Sequence, residues 1–153
     1  MEYTLYKPTK AQSGGAIKFN VQKSGKASFM LCALQIAPMG GSRVFDWEKD
    51  AVINIKMGLT DLGQMLAVIF GKQKEAKLFH KTERDNKVIE FTPTGNPDRP
   101  GYYLKVSHKC GDSEAKRLSV GVTPAEAMIL KVYIESAIQD MLLAQVWAGE
   151  RAE

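Results

Sequence analysis

The sequence predicts an α+β fold in which two four-stranded antiparallel sheets are each followed by a helix. Three observations carry this. Short β-branched, aromatic or alternating segments come in two groups of four. Each group gives way to a stretch whose apolar residues recur at helical spacing. The two strand-to-helix junctions also resemble one another. At 153 residues the chain fits one domain, placed at residues 1–150 with a short tail at 151–153.

Taken in order, YTLYK (3–7) reads as a short edge strand. AIKFNVQ (16–22) and ASFMLCALQIA (27–37) read as strands of a hairpin across the turn QKSGK. After PMGGS, the segment RVFDWEKDAVINIKM (43–57) completes the first group. Its latter part alternates, with Ile53, Ile55 and Met57 inward and Val52, Asn54 and Lys56 outward. Thr60 is the expected cap of a helix from Asp61, with Leu62, Met65, Leu66, Ile69 and Phe70 on its apolar stripe. Gly71 ends it. The second group is KLFHKT (77–82), KVIEFTP (87–93), YYLKVSHK (102–109) and KRLSVGV (116–122), separated by polar turns. Thr123-Pro124, with Glu126 three residues after the cap, opens a helix to about Trp147.

Setting position n against n+63 pairs Gly58-Leu59-Thr60 with Gly121-Val122-Thr123, Met65 with Met128, and Phe70 with Tyr133. These matches point to a duplicated sheet-plus-helix unit. The last helix is apolar around most of its circumference, with a narrow polar stripe at Lys131, Glu135, Ser136, Gln139 and Asp140. Such a helix wants burial on more than one side. A subunit interface through Ile134, Ile138, Met141 and Leu142 is the expected second side; a helix sunk between the two sheets of one protomer is the alternative.

With 44% apolar and 25% charged residues, the chain is globular rather than a disordered tail. No run of about 18 apolar residues offers a membrane span. The start lacks the apolar core of a signal peptide, so the expected location is cytoplasmic. Cys32 and Cys110 are too few for a disulfide framework or a four-thiolate zinc site. Charge is uneven: residues 1–122 carry 19 cations against 12 anions, whereas residues 123–153 carry a net −3. A basic body fits an anionic partner.

The order of short motifs resembles that of the Whirly family of single-stranded-DNA-binding proteins. The matching stretches are RVFDWEKDAVINIKMGLTDLGQML (43–66), LFHKT (78–82), KVIEF (87–91), YYLKV (102–106) and TPAEAMIL (123–130). The most specific element is the aromatic-Asp-Trp triplet at 45–47, followed by G-L-T-D-L-G at 58–63. The resemblance spans about residues 3–148. It implies the two-sheet, two-helix fold already read from the strands. It further implies tetramers assembled through helices, with single strands lying along the sheets between neighbouring protomers. The family's Lys-Gly-Lys-Ala-Ala-Leu motif is only loosely echoed by residues 6–11, which contain Lys7 and Lys10.

Strand alternation then gives the candidate contacts. Lys18 and Asn20, Asn54 and Lys56, Lys77, Phe79 and Lys81, and Tyr103, Lys105 and Lys109 fall on outward positions. Lys7, Lys10 and Trp47 complete the set; Trp47, in the family triplet, either stacks on a base or locks the strand in the core. Ammonium groups track phosphates and rings stack on bases, the chemistry of sequence-tolerant single-strand binding to DNA, or to RNA on the same surface. A rival reading places Mg²⁺ on Asp46, Glu48 and Asp50, whose spacing would put three carboxylates on one strand face of a nuclease. His80 and His108 lack the spacing of a zinc site; His80 reads as a packed, hydrogen-bonded residue. Cys32 reads as buried and Cys110 as exposed in a turn. No P-loop, GxSxG or GxGxxG occurs, and neither a cofactor nor an enzymatic activity is expected.

Overall fold

In a computed structural model, the backbone is described for residues 1–152 and side chains for residues 1–146. Strands β1 (Glu2–Lys7), β2 (Gly15–Val21), β3 (Ser28–Leu34) and β4 (Ile53–Met57) form one sheet in sequence order. Helix α1 (Leu59–Ile69) follows. Strands β5 (Ala76–Lys81), β6 (Asp85–Pro93), β7 (Tyr102–Cys110) and β8 (Lys116–Val122) form the second, again in sequence order, and α2 (Pro124–Ala152) closes the chain. Every neighbouring pair is antiparallel. The expected fold class is therefore the observed one, and α2 runs five residues past the end its sequence pattern suggested.

Duplication is present, with its register moved by two residues. The caps of the two helices are Gly58 and Thr123, an offset of 65. At that offset Ile53, Ile55 and Met57 of β4 match Leu118, Val120 and Val122 of β8, all buried. In the helices Leu62, Met65, Val68 and Ile69 match Ala127, Leu130, Tyr133 and Ile134, again all buried. The 63-residue offset fails this test, since it pairs buried Met65 with exposed Met128 and exposed Phe70 with buried Tyr133.

Both helices start with a carboxylate three residues into the helix accepting the N–H of the cap residue. At α1 the Gly58 N–H donates to the Asp61 carboxylate at 2.9 Å, so the cap stands two residues before the expected Thr60. Gly71 adopts φ +71° just past the helix end, as expected. At α2 the Thr123 N–H donates to Glu126 Oε1 at 3.0 Å and the Glu126 N–H donates to Thr123 Oγ1 at 3.1 Å, a reciprocal capping box. Lys7 adds an ion pair to Glu126 at 2.5 Å, tying β1 to α2. Burial opposes ionisation of Glu126, but Lys7 and Thr123 outweigh it and hold the carboxyl below its usual value. The group thus stabilises the fold above the unfolded-state carboxyl pKa, and the contribution fades as pH falls through the lower folded-state value. Glu126→Gln is accordingly expected to lose about 1 kcal/mol at pH 7 and less at pH 3, where the carboxyl is closer to protonation, measured by urea denaturation at both pH values. A loss equal at both would show that the carboxylate charge contributes nothing.

Each helix packs across the other half's sheet. The Tyr102 hydroxyl of β7 donates to the Ile69 carbonyl of α1 at 3.4 Å, and His80 Nε2 of β5 lies 3.0 Å from Asp61. Tyr133 of α2 packs its ring 5.8 Å from Phe19 of β2, and burial pushes its hydroxyl up to about 12. At the β2–β3 turn Gly25 has φ +70°, and a Cβ there would stand 3.0 Å from the Asp140 carbonyl of α2. Only glycine fits both demands.

This packing corrects the subunit-interface residues. Ile134 and Met141 are buried in the protomer's own core, and Ile138 packs against it half-buried. Leu142 alone of the four stands clear. The free apolar face of α2 is Met128, Ile129, Val132, Leu142, Leu143 and Val146, each about half exposed; the Trp147 side chain lies outside the described residues. Residues 43–52 also depart from expectation. Instead of a long strand, Ile36 N–H donates to the Val44 carbonyl at 2.8 Å and Asp46 N–H to the Leu34 carbonyl at 2.9 Å. The chain thus turns back through a Pro-Met-Gly-Gly tip and joins β4 only at Ile53.

Candidate nucleic-acid interface

With Leu78, Ile89, Phe91, Leu104, Val106, Leu118 and Val120 turned into the core, alternation directs the remaining side chains of the second sheet to its outer face. Three cross-strand rows result. Lys77, Glu90, Lys105 and Ser119 stand side by side; Phe79, Val88, Ser107 and Arg117 form the next row; Thr92, Tyr103 and Gly121 form the row on the other side. Lys81, Asn86 and Lys109 continue the face toward the hairpin ends. Lys77, Lys81, Lys105, Lys109 and Arg117 thus oppose one carboxylate, Glu90, among the described residues. Phe79 is 64% and Tyr103 38% exposed. An ammonium hovers near each ring, Lys77 Nζ 5.6 Å from Phe79 and Lys105 Nζ 5.9 Å from Tyr103. Beside them Val88, Glu90, Lys105, Ser107 and Arg117 line a groove of about 410 Å³.

The first sheet is covered differently. Its outer face carries Lys18, Asn20, Phe29, Leu31, Asn54 and Lys56. Trp47 lies half-buried with Lys18 Nζ 4.7 Å from its ring centre, so its ring belongs to this face rather than to the core. Tyr6, 60% exposed, packs against Phe45 at 6.0 Å. Lys87 Nζ donates to the Asn54 carbonyl at 2.6 Å, joining the two sheets. Lys56, Lys81 and Lys87 line the cleft between them.

The structure therefore places Lys18, Asn20, Asn54, Lys56, Lys77, Phe79, Lys81, Tyr103, Lys105 and Lys109 on sheet faces or the cleft, as alternation expects, and sets the half-buried Trp47 beside Lys18 on the first sheet's face. Two candidates fall elsewhere. Lys7 has the inward parity of Leu5 and is held by Glu126. Lys10 lies in the turn between β1 and β2, exposed but off either sheet face. Sequence reasoning missed Arg117, Lys87 and Phe29, although Arg117 was readable from the inward set Leu118, Val120 and Val122.

The three-carboxylate site is not formed. Residues 46–50 are not a strand; Arg43 Nη2 lies 3.4 Å from Asp46 and 3.1 Å from Glu48, and Asp46 accepts the Glu48 N–H at 3.2 Å. No group of three or more metal-ligating side chains occurs among the described residues. His108 Nε2 lies 3.1 Å from Asp85. Hydrogen bonds from His108 and Cys110 hold the Asp85 carboxyl below its usual value, and Asp85 in turn pushes the exposed Cys110 thiol up. Burial pushes Cys32 up to about 12. Neither thiol is poised as a thiolate nucleophile. No helix among the described residues is long and apolar enough to cross a membrane.

Two sheets with swapped helices and a basic, aromatic outer face define a class, and comparison with known proteins agrees with it. Residues 1–133 match the family model described as Whirly transcription factor. The chain belongs to the Whirly family. Among solved structures it is similar to the plant transcriptional regulator PBF-2, at 19% identity and TM-score 0.70, covering 98% of this chain and 86% of that one. It is also similar to WHY3 from Arabidopsis thaliana, at 19% identity and TM-score 0.68, covering 97% and 92%. A third is the guide-RNA-binding protein complex solved bound to a guide RNA, at 15% identity and TM-score 0.65, covering 90% and 89%. At these identities the likeness is one of fold. No curated protein sequence matches the chain significantly.

Proposed function

We propose that the protein binds single-stranded DNA with little sequence preference, as a homo-oligomer with a tetramer favoured. In this reading it protects or organises exposed strands in replication, recombination or repair, and performs no catalytic step. One observation carries it: five cations and two exposed rings share the outer face of the second sheet. Cations neutralise phosphates and release counterions, while rings stack on unpaired bases at about 1–3 kcal/mol each. Neither contact depends strongly on base identity. Transcriptional regulation, the role in the family's description, would use the same contacts. The exposed apolar face of α2 supports assembly, because a second copy laid against it removes that surface from water.

The test is competition between single-stranded and duplex DNA of equal length at two salt concentrations. Single strands are expected to bind at least about tenfold more tightly, because duplex bases are already stacked, and affinity is expected to fall steeply with salt. Equal affinity for duplex would remove the stacking mechanism; a flat salt response would remove the phosphate one. A second reading, RNA binding or annealing on the same face, draws on the likeness to the guide-RNA-binding complex. An RNA competitor that displaces the DNA at lower concentration favours it.

A further inference from the structure

Glu90 stands in the middle of the basic face. Its register neighbours are Lys77 on β5 and Lys105 on β7. Lys77 Nζ approaches Oε1 only to 3.4 Å. Neither carboxylate oxygen takes a side-chain or backbone hydrogen bond among the described residues, and the side chain keeps 38% of its surface in solvent. A negative charge here opposes phosphate binding, so its acceptor capacity is the property a bound strand could use.

The surrounding geometry says how. Phe79 stands opposite Val88 and Tyr103 opposite Thr92, so the two exposed rings lie one row to either side of Glu90. Same-face rows along a strand are about 7 Å apart, so a base stacked on either ring turns an edge toward the carboxylate. Guanine alone presents two adjacent donors, N1–H and the N2 amino group, on its Watson–Crick edge. Adenine and cytosine set a ring-nitrogen acceptor beside their amino group, and thymine flanks its imino N–H with two carbonyls. Each would face one carboxylate oxygen with a lone pair.

We propose that Glu90 is a specificity-determining residue that accepts both donors of an unpaired guanine stacked on Phe79 or Tyr103, with Lys105 and Arg117 on the adjoining phosphates. This deepens, and rests on, the single-strand reading: the sequence-tolerant contacts supply most of the affinity, and Glu90 adds a preference for guanine-containing strands.

The experiment uses three oligonucleotides of one length: all thymidine, thymidine with isolated deoxyguanosines, and the same strand with deoxyinosine at those positions. Inosine keeps N1–H and lacks the N2 amino group. For the native protein the guanine strand is expected to bind at least about tenfold more tightly than the inosine strand, the loss of one charge-assisted hydrogen bond. In Glu90→Gln, an isosteric change at a half-exposed position, that ratio is expected to fall to within about twofold, while affinity for the thymidine strand holds or rises. An unchanged guanine-to-inosine ratio in Glu90→Gln, or no preference in the native protein, overturns the proposal while leaving strand binding intact. A uniform gain for all three strands in the variant, with the ratio kept, makes Glu90 a counter-charge to Lys77 and overturns it likewise. Failure of the native protein to bind any of the three overturns the single-strand reading as well.

Discussion

Phe79→Ala combined with Tyr103→Ala is expected to weaken single-strand binding about a hundredfold, from two stacking losses of about 1–3 kcal/mol each that add only in part. Both rings stand out from the second sheet. Neither belongs to the core, so folding stability should change little. Phe79→Tyr, which keeps a stacking surface, should stay within a few fold of the native protein. Fluorescence anisotropy with a labelled oligonucleotide measures all three, and urea denaturation confirms that the proteins are folded. If the double variant binds within threefold of the native protein, the rings are not stacking platforms and the face acts through charge alone.

The second large effect concerns α2. Leu142→Glu with Val146→Glu places two charges one turn apart on the exposed face of the helix. The pair is expected to convert the native oligomer to a monomer and to lower strand affinity by at least about tenfold, since a strand lying between neighbouring sheets loses half its contacts. Circular dichroism should stay unchanged because neither side chain belongs to the protomer's core. Ile134→Glu serves as contrast: that residue is wholly buried, so the substitution should unfold the protein. Light scattering on the native chain decides the matter. A native monomer at micromolar concentration that binds single strands tightly removes the assembly argument and leaves the sheet face by itself.

The sequence made some parts of this legible and hid others, for physical reasons. Strands β7 and β8 were readable because one face is buried and the other wet, so alternation reports both core and surface. The junction at α1 was misread because a glycine cap has no side chain to signal it, and Thr60 drew the assignment in its place. That error also misplaced the duplication by two residues; only burial, which matches Ile53, Ile55 and Met57 to Leu118, Val120 and Val122, fixes the register. Residues 43–52 carry β-branched and aromatic residues typical of a strand, yet their hydrogen bonds serve a short hairpin beyond β3. For α2 the pattern announced two buried sides without saying which belonged to the protomer. Ile134 and Met141 turned out to serve the protomer's own core, and the Lys7 ammonium was committed to Glu126 by a contact 119 residues away in sequence. Contacts of that range leave no local trace.

A bound strand is expected to lie on the outer face of the second sheet. Lysine modification read by mass spectrometry, with and without a saturating single-stranded oligonucleotide, addresses this directly. Lys77, Lys81, Lys105 and Lys109 share that face, while Lys23 and Lys26 lie in the β2–β3 turn and Lys72 and Lys74 lie beyond the end of α1; all eight are exposed. Bound DNA is predicted to protect the first four strongly and leave the other four reacting at their free rates. Protection of Lys23, Lys26, Lys72 and Lys74 with the second sheet left open would contradict the account.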